Sequence, residues 1–432
     1  MQRTITPGHR ASGSIRLPGD KSISHRYAML ASIAEGVSEI SNYSTGADCA
    51  STIECMKELG VEIERDGTRV IVHGVGLDGL KAPGKQLDAG NSGSTIRMLS
   101  GILAGQNFTS SIGGDESLSR RPMKRIMTPL EQMGARITAT NDEFPPLTIH
   151  GSKLKAIHYE PPMASAQVKT AVLFGGIYAD GVTSVREKAQ TRNHTEVALQ
   201  SLGAGIEYGG STIRLKGRPK LTGRPLTVPS DLSSAAFFIA VALMLPGSLM
   251  RIDGVGLNPT RTDLLDVLLE MEADIEIVPH PSPDSEPIGT LIIRGPKSAS
   301  APVVRGGLIE KTLTAGVIDE IPILAVLGAA SLDGLEIRDA RELRVKETDR
   351  IKTIAANLAK MGIQVEAFED GLRVPGRQHF APAELDSYGD HRIAMAFAVA
   401  ALKASGPSIL HNAEAADVSF PEFYDLLATV VS

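Results

Sequence analysis

The 432 residues encode an α/β chain folded into two domains of three repeats each. A helix of small and apolar residues with a polar start, followed by a Gly-marked turn and a strand, recurs six times. An amphipathic helix running into a short turn and a β-hairpin interleaves with it five times. The chain ends are complementary: the last helix, "FPEFYDLLATVV", has no hairpin after it, and the first strands, "RTITPGHRASGSIRLPG", have no helix before them. Such self-similarity marks a repeat architecture.

The first copy, "GDKSISHRYAMLASIAEGVSEI" from Gly19, shows how each helix is specified. Asp20 and Ser22 are N-cap types, Ala28, Met29, Leu30, Ile33 and Ala34 make a broad apolar surface, and Gly36 is a stop. Further copies begin at Gly90 ("GNSGSTIRMLSGILAGQNFTSSI"), Ala164 ("ASAQVKTAVLFGGIYADGVTSV"), Ser230 ("SDLSSAAFFIAVALMLPGSLMRI"), Ile318 ("IDEIPILAVLGAASLDGLEI") and Gly389 ("GDHRIAMAFAVAALKASGPSIL"). The hairpin units follow Leu59, Met133, Leu202, Met271 and Met361. Joining the chain ends supplies the sixth, so both N-terminal strands are expected to complete the last repeat. One domain is then discontinuous, residues 1–19 plus 230–432, with residues 20–229 inserted. The chain crosses near Leu17–Asp20 and Val228–Asp231, where Pro, Gly and Ser suit a linker. Helices apolar on all sides belong in the middle of each domain.

Composition narrows the function. With 42% apolar and 22% charged residues the chain reads as soluble and globular. A net charge of −6 argues against a general nucleic-acid or acidic-membrane binder, while leaving room for a local basic pocket. Aromatics at 4% and no Trp offer no base-stacking platform. The apolar runs are too short to span a bilayer, and "MQRTITPGHRASG" lacks the apolar segment of a signal peptide. Cys49 and Cys55 match no metal or redox spacing, and are expected as buried thiols in a reducing, cytoplasmic setting.

Chemistry gathers at the helix starts: Lys21, Ser22 and Arg26; Asn91, Ser92, Ser94 and Arg97; Ser165, Gln167 and Lys169; Asp231 and Ser233; Asp319 and Glu320; Asp390, His391 and Arg392. Capping explains the hydroxyls and carboxylates but not the cations, which the helix dipole disfavours there. An anion held between Lys, Arg and the dipole accounts for them. "LSRRPMKRI" sets Arg120, Arg121, Lys124 and Arg125 around a Pro, either as a solvated basic face or as an anion clamp. "TRNHTE" contains His-x-Glu but has no Pro-Cys-x-x-Cys partner, so no metal is expected. "RELRVKETDRIK" reads either as exposed i, i+4 ion pairs or as an acid/base cluster. No dinucleotide fingerprint or Walker A sequence occurs. A small, multiply anionic substrate follows, with Asp319 and Glu347 as proton carriers and neither metal nor cofactor. The reaction itself does not.

Seven motifs in order, "PGDKSISHR", "GNSGSTIRM", "SLSRRPM", "SAQVK", "VIDEIP", "RVKETDR" and "GDHRIAMA", resemble the 5-enolpyruvylshikimate-3-phosphate synthase family across essentially the whole chain. The resemblance implies the two-domain enolpyruvyl transferase fold, an inside-out α/β barrel of six βαβαββ repeats, three per domain. It implies transfer of an enolpyruvyl group from phosphoenolpyruvate to the 5-hydroxyl of shikimate 3-phosphate, by a monomer that needs no cofactor. Lys21, Ser22, Arg26, Ser165, Ala166 (through its backbone), Gln167, Arg192, Asp319 and Lys346 would hold shikimate 3-phosphate, mostly from the inserted domain. Lys21, Gly93, Arg121, Gln167, Arg350 and Arg392 would hold phosphoenolpyruvate. Asp319 would be the base for the 5-hydroxyl and Glu347, assisted by Lys21, the acid for the methylene carbon. Ala166, Val418 and Glu342 depart from residues found in other members and, with "SAQVK", "RNHTE" and "NPTR", resemble a subgroup that includes glyphosate-tolerant enzymes. A UDP-N-acetylglucosamine enolpyruvyl transferase is the nearest alternative, but "GGDESLSRRPM" lacks its usual cysteine, although Asp115 stands there. A non-catalytic phosphosugar-binding protein would explain the basic helix starts but not Asp319 and Glu347 beside them.

Overall fold

The computed structural model describes residues 1–282, 285–299, 301 and 303–432. The chain forms two compact units, one of Met1–Pro18, Ser230–Pro281 and Pro287–Ser432, the other of Gly19–Pro229 with Ser282–Glu286. All six apolar helices form: Lys21–Ser32, Gly93–Ala104 and Ala166–Tyr178 in one unit, Leu232–Met244, Ile321–Ala330 and His391–Leu402 in the other. Every residue of Leu232–Met244 and of His391–Leu402 is buried, as helices without a polar face require. Gly101 lets two of the helices touch, since a Cβ there would lie 2.3 Å from the Ala171 carbonyl oxygen.

A sheet accompanies each helix. In one, Leu87–Asp88 and Thr109–Gly113 run parallel across the helix between them, and the hairpin of Arg136–Thr140 and Phe144–His150 adds antiparallel strands. A parallel neighbour needs such a crossover, whereas a hairpin needs only a turn. The six sheets are separate and small, and none closes into a barrel among the described residues.

The expected completion of the last repeat holds for the first strand only. Gln2–Ile5 pairs antiparallel with Ser408–His411. Ser12–Arg16 instead runs parallel to Leu249–Gly256, and Leu226–Thr227 runs parallel to Glu35–Ser41. The strands leading into the first and fourth apolar helices are thus exchanged, because the chain leaves one unit just after each of them. The chain ends do meet: Ala11 bridges Val431, and the Met1 amino group lies 2.5 Å from Glu414.

Side-chain caps fix five of the six helix starts. Asp20, Ser92, Ser165, Asp231 and Asp390 accept from backbone N–H groups two or three residues on, each interaction contributing about 1 kcal/mol. Glu320 makes no such bond, and its carboxylate is engaged elsewhere. Cys49 and Cys55 are buried free thiols, as expected.

Candidate active site

In the unit beginning at Gly19, a chain of hydroxyls ties the first two helix starts together. His25 Nδ1 meets Thr52 Oγ1 at 2.6 Å, Thr52 meets Thr95 at 2.7 Å, and Thr95 donates to Ser92 Oγ at 2.8 Å. Burial, reinforced by Lys21 and Arg26, lowers the His25 pKa to about 3, so the ring is neutral. Lys21, half-buried, lies 3.2 Å from Asp48 on the following helix. Arg26 is buried and fully forked: Nε to Thr195 at 2.7 Å, Nη1 to the Ser22 carbonyl at 2.8 Å, and Nη2 to Thr170 at 2.9 Å. Burial pulls its pKa down to about 10 against the pull of Glu196 and Asp20, with Arg192 adding to the fall. The first and third helix starts are thereby joined through a guanidinium.

Gly93, Arg121 and Gln167 come together around Arg97. Arg97 Nη1 donates to Gln167 Oε1 at 2.8 Å, and Gln167 Nε2 donates to Ser94 at 3.0 Å. Arg121 turns back to the Asn91 backbone carbonyl at 3.1 Å and its side-chain oxygen at 2.7 Å. Its neighbour Arg120 is exposed and pairs with Glu116. The basic loop therefore divides, one arginine facing solvent and the other facing the helix start at Gly93. Ser165 and Ala166 are half-buried at the start of the third helix.

Arg192 lies in a loop tied down by a buried lysine. Lys169 contacts Glu196 at 2.7 Å, Glu187 at 3.0 Å and the Thr191 carbonyl at 3.3 Å. Burial raises the Glu196 pKa, with Lys169 opposing it. The histidine of "TRNHTE" meets Glu286 at 2.9 Å in a buried pair, so the stretch is structural at that position. Among the described residues the one His/Cys/acid group spaced to hold a metal is Glu62, Glu64 and His73, on a sheet away from the helix starts.

In the other unit the acidic and basic candidates form one network around Arg350, whose side chain is 1% exposed. Its Nε lies 2.8 Å from Asp390, its Nη2 2.6 Å from Glu347, and its Nη1 3.5 Å from Asp319. Lys346 stands 3.7 Å from Asp319 and 2.8 Å from Glu342. Burial alone would lower the Arg350 pKa, but Asp390 and Glu347 raise it above the ordinary arginine value. Burial alone would raise the Asp390 carboxyl, but Arg350 and His391 hold it below the ordinary range. Arg392 contacts Glu320 at 3.4 Å. A cap, a 3-10 turn (Arg341–Val345) and the helix Arg350–Lys360 thus bring two exposed-edge carboxylates, Asp319 and Glu347, onto one guanidinium. Such a set can bind an anion and move protons at two points.

Asp48 and Thr195, which engage Lys21 and Arg26, were not singled out in the sequence. Their only signal there is polarity on otherwise buried helix faces. Arg97 stands among the cations at the helix starts, but its bond to Gln167 crosses between helices and has no sequence signal.

A family model described as EPSP synthase (3-phosphoshikimate 1-carboxyvinyltransferase) matches residues 5–427. A 3-phosphoshikimate 1-carboxyvinyltransferase of Solibacter usitatus is 60% identical over 430 residues, covering 100% of both chains. One of Koribacter versatilis is 50% identical, covering 99% of this chain and 98% of its own. A solved EPSP synthase from Acinetobacter baumannii superposes with a TM-score of 0.90 at 41% identity, covering 100% of this chain and 98% of that one.

Proposed function

The chain belongs to the EPSP synthase (3-phosphoshikimate 1-carboxyvinyltransferase) family, and on that premise we propose how its residues divide the reaction. It transfers the enolpyruvyl group of phosphoenolpyruvate to the 5-hydroxyl of shikimate 3-phosphate and releases phosphate, on the shikimate route to chorismate and the aromatic amino acids. The contact of both Asp319 and Glu347 with Arg350 carries the assignment of roles.

Phosphoenolpyruvate is a poor electrophile until its methylene carbon gains a proton. Glu347 gives that proton, Asp319 takes the one on the 5-hydroxyl, and the hydroxyl oxygen bonds to C2. The C2–O bond to phosphate then breaks, Glu347 recovers a proton from the new methyl group, and Asp319 returns its proton to the departing phosphate. Each transfer is worth roughly 10²–10⁴ in rate. The substrate carboxylate, arriving on Arg350, draws the guanidinium away from Glu347 and so favours the protonated acid. Arg392, Arg121, Gly93, Lys21 and Gln167 complete the phosphoenolpyruvate contacts. Ser22, Arg26, Ser165, Ala166, Gln167, Arg192 and Lys346 hold shikimate 3-phosphate, and Lys21 and Asp319 touch it too. Action as a cytoplasmic monomer is part of the same proposal, and the two free buried thiols suit a reducing compartment. No helix among the described residues is long and apolar enough to cross a membrane.

The test is phosphate release from phosphoenolpyruvate with shikimate 3-phosphate or with UDP-N-acetylglucosamine as acceptor. Turnover is expected with the first alone. Turnover with the second alone, or binding of shikimate 3-phosphate without turnover, would overturn the reading.

Gly93 offers a sharper probe, because glyphosate competes with phosphoenolpyruvate in this family. A Cβ at position 93 would stand 2.8 Å from Arg97 Nη1, the group that holds Gln167. Gly93→Ala should raise the phosphoenolpyruvate KM a few-fold, roughly, and weaken the longer glyphosate by more, since overlap costs ~1–3 kcal/mol only where atoms meet. Equal losses in KM and Ki would remove Gly93 from discrimination.

A further inference from the structure

The motif "NPTR" has a structural role that the reaction scheme leaves unused. Asn258 Oδ1 accepts from the Thr260 N–H at 3.0 Å and the Arg261 N–H reaches the Asn258 carbonyl at 2.8 Å, a tight turn that presents Arg261 inward. Arg261 is 4% exposed and Glu320, the residue after Asp319, is fully buried. The two form a fork: Nη2 to Oε1 at 2.7 Å and Nη1 to Oε2 at 3.3 Å, with the Ser233 hydroxyl bonded to both residues. Arg392 reaches the same carboxylate by one longer contact, Nη1 to Oε1 at 3.4 Å.

We propose that Arg261 is a positioning residue: by occupying the Glu320 carboxylate it keeps the Arg392 guanidinium available to an anionic substrate. A buried carboxylate needs a charged partner, and a bidentate arginine is the strongest one on offer. With Arg261 in place, Glu320 stays ionised and draws on Arg392 only through one stretched contact. Burial would push the Glu320 carboxyl up, but Arg261 and then Arg392 hold it below the ordinary carboxylate range. Without Arg261, the fork on Glu320 falls to Arg392, whose charge is then spent inside the protein. The turn at Asn258 thus acts on substrate affinity without touching substrate. The inference rests on the assignment of Arg392 to phosphoenolpyruvate.

Steady-state kinetics test it with Arg261→Gln, Arg261→Lys, Arg261→Gln/Glu320→Gln and Arg392→Gln, with shikimate 3-phosphate affinity and Tm measured alongside. Arg261→Gln should raise the phosphoenolpyruvate KM at least about tenfold, with kcat and shikimate 3-phosphate affinity within about threefold. The double variant should recover most of that KM, because no carboxylate then competes for Arg392. Arg261→Lys keeps the charge without the fork, folds in the event that Gln does not, and should fall between the two. A purely structural arginine would lower Tm and damage both substrates' constants together, which would overturn the proposal. So would a KM in Arg261→Lys and the double variant that does not follow this order. If Arg392→Gln leaves the phosphoenolpyruvate KM unchanged, the assignment of Arg392 has failed. If Arg392→Gln raises it and the Arg261 variants do not, the role of Arg261 alone has failed.

Discussion

Asp319→Asn and Glu347→Gln should each cut turnover by about 10²-fold or more while leaving shikimate 3-phosphate affinity within a few-fold. Both changes keep size and one acceptor oxygen, and remove the negative charge together with the capacity to exchange a proton. Neither should unfold the unit, since Arg350 keeps its 2.8 Å contact to the buried Asp390 in both. The two variants differ in one further readout. Protonation of the methylene carbon by Glu347 is reversible in the scheme above, so solvent deuterium should enter that position in the native enzyme and not in Glu347→Gln. Near-normal turnover in either variant would remove that residue from the mechanism. Deuterium entry at the native rate in Glu347→Gln would give the proton to another group.

The six apolar helices were legible because their pattern is local: all-round apolar residues, a polar start and a glycine stop lie within one stretch of chain. Strand partners were not. Ser12–Arg16 carries nothing in its own residues that names Leu249–Gly256 rather than the last repeat, since the choice depends on where the chain leaves the unit. The candidate site divides along the same line. That cations at helix starts need an anion could be argued from Lys21, Arg97 and Arg392 as residue types. The choice of Arg121 over Arg120 rested on the family resemblance alone, because the short helix Glu116–Ser119 sets the direction of two adjacent, identical side chains. Within "RELRVKETDRIK" both kinds of contact occur: Lys346 makes the i, i+4 pair with Glu342, while Glu347 pairs with the buried Arg350.

Arg350→Met should be the most damaging single change to stability. Arg350 is 1% exposed and partners a fully buried Asp390, with Glu347 and Asp319 on its other donors. Breaking a buried pair from one side costs ~3–5 kcal/mol, because the remaining charge has no compensation. The pH dependence gives the loss a signature. In the native protein the Asp390 pKa is depressed: burial opposes this, and Arg350 and His391 prevail. Its contribution is therefore present above the ordinary aspartate pKa and lost as pH falls through the depressed one. Once Arg350 is gone, burial dominates and the sign reverses, so protonation of Asp390 relieves the folded state. The gap in Tm between the native protein and Arg350→Met should accordingly narrow as pH falls from 7 towards about 4. Arg350→Met/Asp390→Asn should recover much of the gap at pH 7, though not activity, because the guanidinium proposed to meet the substrate carboxylate is still missing. A gap that stays constant across that range, or a double variant no more stable than the single one, would mean that the loss comes from packing of the arginine stem rather than from the stranded carboxylate.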